Sequence, residues 1–203
     1  MGDVPGHYFD ASPTSAPAPR TLELHLPDVS LTLEADSGVF AGRGIDPGTK
    51  TLLLEAPAPP PVGDLLDVGC GYGPIALTLA ARSPDAHVWA VDVNERARAL
   101  CAANAAANGL TNVTVAAPGD VPDDVRFAAL WSNPPIRIGK AALHALLLQW
   151  LDRLTPDGVA ALVVQKHLGA DSLQRWLTEQ GWPATRRGSR QGYRVLDVSR
   201  ARS

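Results

Sequence analysis

The sequence predicts a doubly wound, mostly parallel α/β sheet preceded by a β-hairpin and a helix, and three observations carry that prediction. From Asp64 onward, short apolar runs alternate with helical stretches, the pattern of consecutive βαβ units. The first run, Leu65-Leu66-Asp67-Val68, stops at Gly69, Gly71 and Gly73 and then turns helical at Pro74, a first helical position where a missing N–H costs nothing. Upstream, Leu22, Leu24 and Leu26 alternate with Glu23 and His25, and Leu31 and Leu33 with Thr32 and Glu34, the period of half-buried strands.

In chain order, residues 1–20 are rich in Pro, Ala and Ser and are expected to be flexible. His7-Tyr8-Phe9 is the exception, an aromatic cluster that either stacks on a substrate or anchors on the core. Residues 21–62 read as a hairpin, a loop from Gly38 to Gly48 and a helix packed on the main domain, with Asp46 as cap and Pro47 at the first helical position. Residues 63–203 form the main domain. Helices are expected over Ile75 to Arg82, from the Asn94 cap to Asn108-Gly109, over Leu143 to Leu154 and over Leu173 to Gln180. The strands after Leu65–Val68 are His87 to Val91, Val113 to Ala117, Phe127 to Trp131, Val159 to Val164 after a Pro156-Asp157-Gly158 turn, and Tyr193 to Val198.

With 203 residues and 45% hydrophobic content, the chain can bury one substantial core. Its apolar stretches break well before the roughly 18 residues a membrane helix needs. Met1 opens no signal-peptide pattern, so a cytoplasmic protein without a membrane partner is expected. Cys70 and Cys101 offer neither metal-ligand spacing nor a disulfide framework, and no metal is expected.

Net charge is −3, which argues against a nucleic-acid partner, but the charge is unevenly spread. Residues 131–203 carry 11 Lys/Arg against 5 Asp/Glu, a net +6, whereas residues 1–130 carry 7 against 16, a net −9. Arg137, Lys140, Lys166, Arg175, Arg186, Arg187, Arg190 and Arg194 would attract phosphates if they share a face, and otherwise form a solvated surface.

The glycine loop departs from the dinucleotide pattern, because Pro74 occupies the place of its third glycine. Asp67-x-Gly69-x-Gly71-x-Gly73 instead resembles the first motif of the class I S-adenosylmethionine (SAM)-dependent methyltransferases. Asp92 ends the second strand, where doubly wound folds place a carboxylate on a ribose, although it also reads as a cap for the helix at Asn94. Asp120, after the third strand, either meets the adenine amino group or is an ordinary turn residue.

Ser132-Asn133-Pro134-Pro135-Ile136 follows the fourth strand, at the sheet edge where such folds bind ligands. Two prolines hold this backbone extended and leave acceptors free. If the Asn133 side-chain carbonyl and the Pro134 carbonyl each accept one N–H of an amine, its lone pair can be aimed at the cofactor methyl without a strong base.

From about His7 to Val198 the chain resembles the methyltransferase domain of the ribosomal RNA small-subunit guanine-N2 methyltransferases and their small archaeal relatives. The shared features are the His-Tyr-Phe opening, Gly44 to Thr49, the Asp67 to Pro74 loop and Asn133 to Lys140. The resemblance implies a Rossmann-like sheet of seven strands and SAM as cofactor. It implies cofactor contacts from Asp67, Gly69, Cys70, Gly71, Asp92, Val93, Asp120 and Asn133. Asn133, Pro134 and Pro135 would form the catalytic turn, and Ile136, Arg137, Lys140, Tyr8 and Phe9 would meet the substrate. Ile136 stands where adenine and glutamine methyltransferases usually place an aromatic residue, which weakens those readings. The expectation is an N-methyltransferase acting on guanine N2 in ribosomal RNA, bound through the basic C-terminal half. The alternatives are a protein glutamine or small-molecule amine methyltransferase, or a SAM-binding module without catalysis; monomer and homodimer stay open.

Overall fold

A computed structural model describes residues 19–36 and 44–201 of the chain. His7, Tyr8 and Phe9, and most of the expected Gly38 to Gly48 loop, lie outside the described residues.

The hairpin pairs β1 (Pro19–His25) with β2 (Ser30–Asp36), Leu22 opposite Leu33 and Leu24 opposite Leu31. Leu24, Leu31, Leu33 and Ala35 turn inward, as a two-residue period requires. Helix α1 (Pro47–Glu55) follows, with Asp46 Oδ1 accepting Thr49 N at 2.8 Å.

The main sheet contains β3 (Val62–Val68), β4 (Asp85–Val91), β5 (Val113–Ala116), β6 (Phe127–Ser132), β7 (Leu154–Gln165), β8 (Ala184–Arg190) and β9 (Tyr193–Ser199), in the spatial order β5-β4-β3-β6-β7-β9-β8. Strands β3 to β7 run parallel; β9 is antiparallel to both β7 and β8. Its helices are α2 (Pro74–Arg82), α3 (Glu95–Ala107), α4 (Lys140–Leu151) and α5 (Ala170–Glu179).

Successive strand residues feed opposite faces. Leu65, Trp131, Ala161 and Val163 pack with α1, α2, α3 and the hairpin, whereas Leu66, Leu130, Leu162 and Val164 pack with α4 and α5. A sheet covered on both sides accounts for strands that read as unbroken apolar runs. After β3 the chain winds outward through β4 and β5, then returns to place β6 on the other side of β3. That reversal opens a crevice beyond the carboxyl ends of β3 and β6, where the glycine loop and the Asn-Pro-Pro turn begin.

The hairpin is fastened to this sheet by two asparagines one turn apart, Asn104 in the last turn of α3 and Asn108 at its C-cap. The Asn104 amide donates to Glu34 O and accepts Glu34 N, both at 2.8 Å, while the Asn108 amide donates to Thr32 O at 2.8 Å and accepts Thr32 N at 3.2 Å. The two side chains act as a substitute strand along the open edge of β2, satisfying backbone groups that would otherwise invite another chain.

Three elements differ from the sequence expectation. Helix α4 spans Lys140–Leu151 rather than Leu143 to Leu154, so Leu154 belongs to a strand. Strand β7 begins at Leu154 rather than Val159, because Leu154 pairs with Phe127 and the chain bulges through Pro156–Gly158 before Val159 meets Ala129. Strand β8, Ala-Thr-Arg-Arg-Gly-Ser-Arg, carries no apolar alternation and reads from sequence only as charge. It is an edge strand held by its ladder to β9, and exposed arginines suit such an edge.

Candidate active site

The glycine loop leaves β3 by donating Gly69 N and Cys70 N to Val91 O at 2.8 and 3.0 Å, which ties it to the neighbouring strand β4. Gly71 has φ +56°, a left-handed conformation that favours glycine, and a Cβ there would meet open space. Gly73 is needed for a different reason. At φ +101° its missing Cβ would lie 2.6 Å from Leu77 Cδ1 and 2.8 Å from Cys101 Sγ, so it lets α3 approach the loop. Asn104 completes the support, donating to Tyr72 O at 2.8 Å as well as to β2.

Asp92 closes the loop from the β4 side. Its Oδ2 accepts Gly71 N and its Oδ1 accepts Asn94 N, each at 2.9 Å, so each oxygen keeps capacity for another donor. Burial raises its pKa, outweighing the two N–H donors and the nearby Arg98 charge.

Ser132 Oγ donates to Val68 O at 2.7 Å, a buried tie between the strand ends that precede the two loops. Asn133 then donates Nδ2 to Asp46 Oδ1 at 2.8 Å and to Thr49 Oγ1 at 3.1 Å. A carboxylate only accepts, so the nitrogen of this amide must face Asp46 and its carbonyl oxygen is the end left for a ligand. The expected free carbonyls need correction: Pro134 O accepts Ile136 N at 2.9 Å and Pro135 O accepts Ile138 N at 3.2 Å. The turn tightens into a short 3₁₀ segment over Ile136–Ile138, and each proline carbonyl retains one lone pair.

The two loops share one cavity of about 680 Å³, within the usual size of cofactor sites. Of the sequence-predicted residues, Gly69, Cys70, Gly71, Asp92, Val93 and Asn133 line it, as do Pro134, Pro135, Ile136 and Arg137. Asp67, Asp120 and Lys140 do not. Asp67 is fully buried beneath the loop, where Oδ2 caps α2 by accepting Ala76 N at 2.9 Å. Among the described residues its Oδ1 has no partner, and burial, with the Asp92 charge adding to it, pushes its pKa well up. Asp120 turns back to accept Ala117 N at 3.3 Å, and Pro118 forms the wall instead. Cys70 is buried, its thiol pushed up by the adjoining Cys101 thiol and by burial.

Sequence reasoning missed Asp46, Thr49, Tyr72 and Tyr193 as cavity residues. Asp46 was fully accounted for as a helix cap. Tyr193, at the start of β9, reaches the cavity only because β9 runs against its neighbours; its ring packs on Gly48, where a Cβ would lie 2.7 Å from Cε1. Burial, then the Asp46 charge, raises the pKa of both phenols.

A smaller basic groove of about 260 Å³ adjoins the cavity through Tyr193, lined by Lys166, Arg186, Arg190 and Arg194 among others. Arg190 lies 3.8 Å from Glu55, and Arg194 pairs with Asp171. Among the described residues Lys166 and Arg186 have no acidic partner. Nor is any group of three or more His, Cys, Asp or Glu residues placed to hold a metal, or any helix long and apolar enough to cross a membrane.

The methyltransferase small domain family model matches residues 30–197. The uncharacterized Bacillus subtilis protein YbxB is 38% identical over 85% of this chain and 88% of its own length. Ribosomal RNA small subunit methyltransferase C of Shewanella pealeana is 31% identical over 72% of this chain, which spans 43% of that enzyme. Among solved structures, the T. thermophilus 16S rRNA N2 G1207 methyltransferase, in complex with AdoMet and guanosine, superposes with a TM-score of 0.75 at 24% identity, over 93% of this chain and 52% of that one. The ribosomal protein L11 methylase of Lactobacillus delbrueckii subsp. bulgaricus gives 0.62 at 22% identity, over 78% of this chain and 85% of that one. The glycine cradle, the Asp92 carboxylate in the wall and the cavity volume all fit a SAM molecule, and with the family match they place this chain in the methyltransferase small domain family, as a class I SAM-dependent methyltransferase.

Proposed function

We propose that this enzyme methylates the N2 amine of a guanine in ribosomal RNA. The observation that carries the reading is the orientation of Asn133, whose amide nitrogen is held by Asp46 and Thr49 and whose carbonyl is left for the cavity. An exocyclic amine is a weak nucleophile because its lone pair is delocalised into the ring. Two acceptors, Asn133 Oδ1 and the remaining lone pair of Pro134 O, would hold its hydrogens and free the lone pair for in-line attack. The gain comes from alignment and from complementing the positive charge that grows on nitrogen.

SAM, when bound, supplies an electrophilic methyl on a sulfonium. The backbone of Gly69 and Gly71 would lie along its methionine part, Asp92 would accept from its ribose hydroxyls, and Val93 and Pro118 would flank its adenine. Ile136 would pack on the target base. Arg137 at the cavity mouth and Lys166 and Arg186 in the adjoining groove would meet phosphates beside an extruded nucleotide. The names of the Shewanella and Thermus relatives support an RNA substrate.

The test is transfer of tritiated methyl from SAM into unmodified small-subunit ribosomal RNA, followed by digestion to nucleosides. Label in N2-methylguanosine is expected; label that survives RNase and is removed by protease refutes the reading. Asn133→Ala should lower kcat by roughly 100-fold or more while SAM still binds, by analogy with loss of one preorganised transition-state contact.

A further inference from the structure

Asp46 does more at this site than cap a helix. Its Oδ1 is used twice, by Thr49 N and by Asn133 Nδ2, each at 2.8 Å. Its Oδ2 has no protein partner among the described residues, and Asp46 lines the same cavity as Asn133. Asp46 Oδ2 and Asn133 Oδ1 are thus the remaining acceptors of two hydrogen-bonded side chains that line one cavity. Tyr72 and Tyr193 line the same cavity, and the Asp46 charge acts on both phenols, so its field reaches into the cavity.

We infer that Asp46 selects guanine, its free carboxylate oxygen accepting the N1–H of the base while Asn133 Oδ1 accepts from the adjacent N2 amine. The inference rests on the guanine-N2 reading and adds to it the reason why that base is chosen. On its Watson–Crick edge guanine presents N1–H beside an amine, two neighbouring donors for two neighbouring acceptors. Adenine and cytosine present a ring lone pair beside the amine, and a glutamine side chain presents a carbonyl oxygen. Each of these sets a lone pair against a carboxylate in a partly desolvated site, which is the costly mismatch that polar sites use for discrimination. Accepting N1–H also pushes electron density through the ring toward N2, which strengthens the nucleophile with no proton leaving N1.

The discriminating probe is 2-aminopurine riboside, which keeps the exocyclic amine of guanosine and carries a lone pair at N1. Binding of guanosine and of 2-aminopurine riboside is measured calorimetrically on the protein saturated with S-adenosylhomocysteine. The unaltered protein should prefer guanosine by about tenfold or more, the scale of one charge-assisted hydrogen bond. Asp46→Asn keeps a good helix cap and an oxygen for Asn133, while turning an N–H₂ toward the base. It should erase or reverse the preference. Thr49→Val, which removes one support of Asn133 and leaves the Asp46 carboxylate in place, should weaken both nucleosides alike and leave their ratio unchanged. Equal binding of both by the unaltered protein, or an equal weakening of both by Asp46→Asn, overturns the inference and leaves the methyltransferase reading standing. If neither nucleoside binds, the guanine reading itself fails and the role of Asp46 falls with it.

Discussion

Replacing Asn104 by Ala should loosen the fold and the cofactor loop together. Asn104 is 1% exposed, and its amide makes three hydrogen bonds of 2.8 Å, two with the Glu34 backbone and one to Tyr72 O. Alanine leaves all three backbone groups without that partner, Tyr72 O in a buried setting and the two Glu34 groups in a half-buried one. At about 1 kcal/mol for each, the loss is ~3 kcal/mol, and more if water cannot enter to replace the amide. For a chain of this length each kcal/mol moves the thermal midpoint by roughly 2–4 °C, so the midpoint should fall by roughly 6–12 °C. Thermal and urea unfolding followed by circular dichroism measure this. A second consequence separates Asn104 from an ordinary core residue: Tyr72 belongs to the glycine loop, so SAM affinity should fall even well below the midpoint, and saturating SAM should recover part of the lost stability. A midpoint drop under about 3 °C, a cost near the value of one ordinary hydrogen bond, would refute the bridging role assigned to this side chain.

Gly48→Ala sets a Cβ 2.7 Å from the Tyr193 ring and 2.9 Å from Asp46 Oδ1, so it should lower kcat/KM by roughly 10- to 100-fold through misplacement of the target end, measured by steady-state methyl transfer. Burial raises the pKa of Asp67 and Asp92, which means the folded, SAM-free protein holds protons that the unfolded chain has released. Its stability should therefore fall as pH rises from the ordinary aspartate value of 3.8 through the raised values, and Asp67→Asn should flatten that slope in urea titrations. RNA binding should weaken steeply with salt, and Lys166→Ala and Arg186→Ala should each reduce the slope of log affinity against log salt by about one, whereas a flat response in filter binding removes the basic groove from substrate recognition.

The elements that the sequence made legible are those with local causes. Asp46 and Asn94 announce helix starts because a side chain two or three residues from the N–H it caps needs no distant partner. The glycines after β3 announce a turn because positive φ values favour glycine over other residues, and strands covered on both faces announce themselves as apolar runs. Strand β8 was not legible, since its stability comes from a ladder to β9 and only Ala184 is buried along it.

The same division runs through the site. Asn133 and Asp92 stand at strand ends whose position follows from strand order, so local pattern was enough to single them out. Asp67 was legible as part of the motif, but only the packing shows it turned inward to cap α2 rather than lining the cavity. Pro134 O was expected free, and a γ-turn centred on Pro135, which no residue pattern announced, occupies one of its lone pairs through Ile136 N. Sequence alone determined the sheet, its two ligand loops and the kind of chemistry they support, because propensity, capping and alternation act within a few residues. Tertiary structure alone decided that a helix cap would become the neighbour of an asparagine 87 positions later, and that Asn104 in the last turn of α3 would join hairpin, helix and cofactor loop. Those pairings are set by how layers stack, and stacking distance has no counterpart in distance along the chain.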